Sequence, residues 1–115
     1  MARELVIAIY NMTLTKLPKF EMFEEGSQIP HSIKSVKSNI VEGYGRRRYK
    51  QEFVRFIDCA LASCDETADH LDTLVATNSL TDSATIDDLT RKLDELERKL
   101  NLFLQRIERG HISEK

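Results

Sequence analysis

The 115-residue sequence contains no tryptophan, two cysteines, two prolines and four glycines. So little Gly and Pro leaves too few tight turns for a many-stranded sandwich or barrel, whereas the Leu, Glu, Lys, Arg and Ala content favours helices. Cys59 and Cys64 stand five positions apart, which on a helix turns them roughly 140° from each other, so they do not readily share a metal or close a disulfide. They are expected to be two reduced, core-facing thiols, in keeping with a reducing compartment. No long apolar run is present. The stretch Leu5 to Tyr10 is six residues long with no small-residue cleavage pattern after it, and a membrane span needs about 20. A cytoplasmic protein with no membrane segment is expected.

What is present fits one compact domain spanning residues 1–115, with 41% hydrophobic and 31% charged residues. The formal net charge of -2 excludes the strongly basic body that dominates non-specific nucleic-acid binding. Any polyanion site must be local.

Four helical patterns follow. Ile86, Leu89, Leu93, Leu96, Leu100, Phe103 and Ile107 alternate steps of three and four, an a/d seam of the kind found in antiparallel bundles, and Gly110 supplies its stop. Leu102 and Leu104 lie beside that seam and widen the apolar face toward several neighbours. Residues 50–77 form the longest periodic segment, about 40 Å of helix. On it, Phe53, Ile57, Ala60, Cys64, Leu71 and Leu74 share one face, and Val54, Leu61, Ala68 and Val75 lie beside them. The middle of this segment is built from small residues that allow close helix approach. Asn78, Ser79, Thr81, Asp82 and Ser83 read as the turn and cap that reverse the chain.

A further pattern runs through Ile29, Ile33, Val36, Ile40 and Tyr44, with Gly43 and Gly45 marking its end. Pro30 suits its first turn or a place just inside a longer helix. The first segment, Arg3 to Lys16, is apolar without amphipathic alternation. A buried strand is locally compatible with it, but a lone strand in a helical chain has no partner for its backbone groups, so a helix buried on more than one side is predicted.

Charge is strongly segregated along the chain. Residues 34–55 carry seven basic and two acidic side chains, whereas residues 56–90 carry none and eight. The basic block is Lys34, Lys37, Arg46, Arg47, Arg48, Lys50 and Arg55, gathered around the turn into the long helix. The acidic block includes Asp58, Asp65, Glu66, Asp69 and Asp72 farther along that helix. Asp65, Asp69 and Asp72 share one face at i, i+4 and i+7 and repel one another by roughly 0.2–0.5 kcal/mol per pair. That face is either solvated or meets a basic surface of another subunit. A basic end and an acidic body on one protomer are complementary head to tail, the geometry of contacts that close into rings. The arginine triplet has three readings: a solvated turn, a phosphate-binding patch, or a contact with a subunit or protein partner. Tyr44 and Tyr49 flank it, as bundle-end residues that are half-buried or as rings able to stack on unpaired bases.

Catalytic and metal constellations are not legible. Gly43-Tyr44-Gly45 lacks the third glycine and the βαβ setting of a phosphate loop. Glu66 and His70 stand one turn apart, but a four-helix di-iron site needs two Glu-x-x-His pairs, which the sequence does not supply. His31, His70 and His111 are scattered, and Ser32, Ser35, Ser38 and Ser63 have no base and orienter grouped with them. No enzymatic activity, metal or cofactor is expected.

The run Ser27-Gln28-Ile29-Pro30, then Ser38-Asn39-Ile40-Val41-Glu42-Gly43-Tyr44-Gly45-Arg46-Arg47, followed by Glu52-Phe53-Val54-Arg55-Phe56 and Ala60-Leu61-Ala62-Ser63, resembles the bacterial four-helix bundle proteins encoded in intervening sequences of 23S ribosomal RNA genes. The resemblance extends from the Leu17-Pro18 turn through Leu100-Asn101. It implies an all-α, antiparallel up-down-up-down four-helix bundle and a ring-shaped homopentamer. It also implies kinship to the pentameric accessory protein of diversity-generating retroelements, which binds nucleic acid and a reverse transcriptase. The matching motif positions are Asn39, Glu42, Gly43, Gly45, Arg46 and Arg47, with Asn39 and Glu42 read as internal hydrogen-bond or ion-pair residues of structural rather than catalytic use. Unlike many members, this sequence has no Ser or Thr directly before the long helix.

The resulting expectation is a non-enzymatic oligomer that binds RNA or DNA through Arg46, Arg47, Arg48 and Lys50, with Lys34 and Lys37 contributing. The alternative is a structural or protein-interaction scaffold in which the basic turn contacts the acidic face of the neighbouring subunit, through Asp58, Asp65, Asp69 and Asp72.

Overall fold

The a/d seam of the last segment becomes helix α4, Ser83–Glu108. Leu89, Leu93, Leu96, Leu100 and Ile107 are buried along it, and Ile86 and Phe103 are partly buried. Asp82 caps this helix, its Oδ1 accepting from the backbone N–H groups of Ala84 at 3.2 Å and Thr85 at 3.5 Å, which satisfies two donors that have no partner inside the helix. At the other end Gly110 takes the left-handed conformation, with φ 86°, and donates to the Ile107 carbonyl. Both ends therefore sit where sequence places them.

The computed structural model describes residues 2–17 and 25–110. Pro18 of the expected Leu17-Pro18 turn and His111 lie outside the described residues. Three further helices precede α4: α1 is Ala2–Lys16, α2 is Glu25–Gly45 and α3 is Lys50–Ala76. Consecutive helices pack on one another, and α1 closes the bundle against α4. The fold is all-α, four helices in an antiparallel up-down-up-down bundle. Two polar ties mark its ends. Lys16 Nζ meets Asp82 Oδ2 at 2.9 Å, and at the opposite end Lys50 Nζ donates to the Glu108 carbonyl at 2.8 Å.

The core joins Leu5, Ile9 and Met12 of α1 and Ile29, Ile33 and Val36 of α2 to the predicted faces of α3 and α4, with Leu80 plugging the end. The Phe53 and Phe103 rings meet edge to face at 5.5 Å. Between α2 and α3 the small residues are joined by hydroxyls. Thr67 Oγ1, fully buried, lies 2.8 Å from Ser32 Oγ and 2.7 Å from the Ser63 carbonyl, and Ser35 Oγ lies 2.9 Å from Ser63 Oγ. These bonds satisfy polar groups that burial otherwise penalises. Asn78, at φ 60°, turns the chain out of α3, as its side chain tolerates that conformation.

Several expectations are corrected. α1 buries one face, not more than one: Ile7, Tyr10 and Leu14 stay 46%, 47% and 54% exposed. Cys64 is buried but Cys59 is exposed, because the rotation of five positions that separates the two thiols also sends one outward. Leu102 is exposed rather than packed beside the seam. Pro30, by contrast, is inside a longer helix, which is one of its two expected placements. α2 does end at Gly45, within the expected Gly43–Gly45 stop, but neither glycine has a positive φ. Gly43 is instead buried where α3 approaches: a β-carbon there would stand 2.9 Å from the Phe56 Cβ.

Candidate functional site

The antiparallel order brings the end of α2, the 46–49 turn, the start of α3 and the end of α4 to one end of the bundle. Three backbone hydrogen bonds hold the turn: Arg46 N–H to the Gly43 carbonyl, Arg47 N–H to that of Tyr44, and Tyr49 N–H to that of Arg46. Tyr49 occupies the N-cap position of α3 with no side-chain cap bond. The turn is braced by other means.

Arg46 supplies one brace. Its Nη2 and Nε reach Glu42 Oε2 at 3.0 and 3.3 Å, its Nη1 reaches Glu52 Oε1 at 3.3 Å, and its guanidinium lies 5.5 Å from the centre of the Phe56 ring. One cation thus ties the last turn of α2 to the first turn of α3. Arg55 lies over the same Phe56 ring at 4.8 Å. Lys50 is spent on the Glu108 carbonyl, where a cation also suits the negative end of α4. Arg47 folds back on Tyr44, its guanidinium 4.3 Å from the ring centre and its Nη1 3.0 Å from the Tyr44 carbonyl. Arg48 is exposed and has no ion-pair partner among the described residues. Tyr44 and Tyr49 are 53% and 60% exposed, which corrects their reading as half-buried residues.

The six basic residues singled out in the sequence are not one patch. Arg46, Arg47, Arg48 and Lys50 share the turn, but Lys34 lies twelve helical residues before Arg46, about 18 Å away along α2. Its Nζ sits over the Tyr10 ring of α1 at 5.2 Å, and Lys37 is exposed between the two locations. Conversely, the exposed Arg106 and Arg109 arrive at the basic end with α4. Their distance along the chain hid this; only the up-down order of four helices signals it.

Asp58, Asp65, Asp69 and Asp72 are exposed along α3. Asp65 has a neighbour that the sequence reading missed: Glu97 of α4. A hydrogen bond with Asp65, partial burial and the charges of Asp65 and Asp94 hold the Glu97 carboxyl above its ordinary 4.5. Behind them, burial and the charges of Glu97 and Asp65 push the Cys64 thiol up to about 12. Farther along, a groove between α3 and α4 is floored by Leu71, Val75 and Leu93 and rimmed by Asp72 and Asp94. The bundle is therefore basic at one end and acidic along the α3–α4 side.

Asn39 donates through Nδ2 to the Ser35 carbonyl at 2.8 Å and to Ser35 Oγ at 3.2 Å. Glu42 is the anchor of Arg46, and Gly45 has open space around its α-carbon. His70 Nε2 lies 3.8 Å from Glu66 Oε2. Among the described residues no group of three His, Cys, Asp or Glu side chains is arranged to hold a metal ion, and no helix is long and apolar enough to cross a membrane.

An antiparallel four-helix bundle with a braced, arginine-rich turn between its second and third helices defines the class of protein. The chain belongs to the 23S rRNA-intervening sequence protein family, whose model matches residues 1–102. No curated protein matches it.

Proposed function

We propose that this chain is a non-enzymatic helical scaffold of the cytoplasm that assembles with copies of itself and holds RNA or DNA at the α2–α3 turn. The observation that carries this reading is a division of labour among adjacent cations. Arg46 and Lys50 are consumed in bracing the bundle end, while Arg47 and Arg48 stay on its exposed tip between two exposed tyrosines. Arg106 and Arg109 add to the local field, and Lys34 and Lys37 extend it along α2. Association through such a small patch is weak and strongly salt-dependent. No cofactor and no membrane enter this reading.

Self-assembly has its own support. The α1 stripe of Ile7, Tyr10 and Leu14 leaves apolar surface in water on a helix whose opposite face is already in the core. Together with a basic end and an acidic flank on each protomer, it suits a cyclic homo-oligomer, with five copies the number implied by the family resemblance. A second reading follows from the same charges: the arginine turn docks on Asp58, Asp65, Asp69 and Asp72 of the neighbouring copy, leaving a purely structural or protein-binding module.

Fluorescence anisotropy of labelled structured RNA and single-stranded DNA at low and moderate salt separates the two, with assembly mass measured in parallel. In the first reading Arg47→Ala/Arg48→Ala keeps the assembly and lowers the slope of log affinity against log salt by about 1.4–1.8. In the second the same variant falls apart into monomers. Absence of binding at low salt by the intact wild-type oligomer removes the first.

A further inference from the structure

We infer that the α2–α3 tip selects single-stranded over duplex nucleic acid, by stacking unpaired bases on Tyr44 and Tyr49. This rests on the polyanion reading above and adds to it the class of strand. Charge alone does not favour the single strand, because both forms carry phosphates and the duplex carries them more densely. Aromatic rings do, since a duplex keeps its base faces covered by its own stack, whereas a single strand can turn them toward a ring.

The tip is built to present such rings. Tyr44 and Tyr49 are more exposed than either Ile7 or Tyr10 of the α1 stripe, and they bracket Arg47 and Arg48 in sequence. Tyr44 is also held in place. The Arg47 guanidinium lies 4.3 Å from its ring centre, itself anchored by the 3.0 Å hydrogen bond from Nη1 to the Tyr44 carbonyl. With that cation in place the residue is still 53% exposed, so ring surface remains for a ligand. The backbone beneath is fixed by the three turn hydrogen bonds, by the double ion pair of Arg46, and by the close packing of Gly43 on Phe56. A ring fixed before binding loses little further conformational freedom when a base stacks on it. Arg47 and Arg48 then lie within a few residues of both rings, where the phosphates joining stacked bases need cations. Because every base has a face to offer, the preference is for strandedness rather than for sequence.

The test compares three labelled ligands at low salt: an unstructured DNA single strand, its duplex, and an abasic strand of the same length that keeps the phosphates and lacks the bases. Wild type is expected to bind the base-bearing strand about tenfold more tightly than the other two. Tyr44→Ala/Tyr49→Ala is expected to bind the base-bearing and abasic strands alike, no more tightly than the duplex and still in a salt-dependent way, and Tyr44→Phe/Tyr49→Phe to restore the preference. Both rings are exposed, and unchanged circular dichroism and melting temperature verify that each variant folds. Equal binding of the abasic and base-bearing strands by wild type, or a preference that survives loss of both rings, overturns the stacking proposal and leaves the polyanion reading standing. Failure of wild type to bind any of the three removes that reading, and this one with it.

Discussion

The α-carbon of Gly43 faces Phe56 so closely that a β-carbon added to the glycine would stand 2.9 Å from the Phe56 Cβ. The atom in the way is the first of the side chain, fixed to the α3 backbone, so it cannot swing aside. Gly43→Ala must push α2 and α3 apart at the end where Arg46 joins them. Overpacking costs about 1–3 kcal/mol, against about 1 kcal/mol gained from replacing a helical glycine. A net loss of ~1 kcal/mol is expected in urea unfolding. Gly45 has no neighbour within 4 Å of the same test atom and no positive φ, so Gly45→Ala is expected to gain ~0.5 kcal/mol. Opposite signs at two positions of one motif are the signature to look for.

Thiol labelling discriminates the two cysteines. Cys59 is exposed, whereas Cys64 is buried with its thiol pushed up to about 12 by burial and by the Glu97 and Asp65 charges. A thiolate-selective reagent is expected to modify Cys59 promptly in the native protein and Cys64 only at the rate of unfolding. Rapid modification of both would mean that the Cys64 side of α3 opens without global unfolding.

Much of this fold was legible because its signals are local. The α4 seam, the Asp82 cap, the Asn78 turn and the Gly110 stop each depend on residues within a few positions of one another. What was not legible depends on other helices. A glycine near a helix end reads as a stop, and only the arrival of Phe56 shows that Gly43 is a contact surface. Arg46, Arg47 and Arg48 look alike in sequence, yet Glu42 and Glu52 lie on either side of the turn and draw in only the first. The apolar run in α1 reads as a helix buried on more than one side, yet Ile7, Tyr10 and Leu14 stay exposed, because which faces are covered is a property of the bundle.

The buried hydroxyls offer a measure of how α2 and α3 are held in register. Thr67 Oγ1 lies 2.8 Å from Ser32 Oγ, which itself donates to the Ile29 carbonyl. Thr67→Val keeps the volume and removes the hydroxyl, for an expected loss of ~1 kcal/mol. Ser32→Ala combined with it strands no partner, so the double variant is expected to lose less than the sum of the two singles. A double-mutant cycle with coupling of about 0.5 kcal/mol or more supports a direct bond across the helices, and additive losses exclude it.

Acid should act on this protein through two separate windows. Glu97 titrates above its ordinary 4.5 through its hydrogen bond with Asp65, its partial burial and the charges of Asp65 and Asp94. The folded state therefore holds that proton more tightly than the unfolded chain does. The resulting stability is complete below 4.5 and is lost as pH rises through the raised folded value. Asp82 and Asp88 run the other way. The Lys16 and Thr85 hydrogen bonds to Asp82, and those of Lys92 and Arg91 with their charges to Asp88, hold both carboxyls below their ordinary 3.8. Their contribution is present above 3.8 and lost as pH falls through the lowered folded values. Glu97→Gln keeps the shape and a donor for Asp65 while removing one of two repelling charges. It is expected to raise stability at neutral pH and to flatten the upper window, leaving the acid limb unchanged, whereas Asp88→Asn should soften the acid limb alone. Urea unfolding across both windows measures this, and a Glu97→Gln variant less stable than wild type at neutral pH would show that the carboxylate is held by favourable contacts rather than by its repelling neighbours.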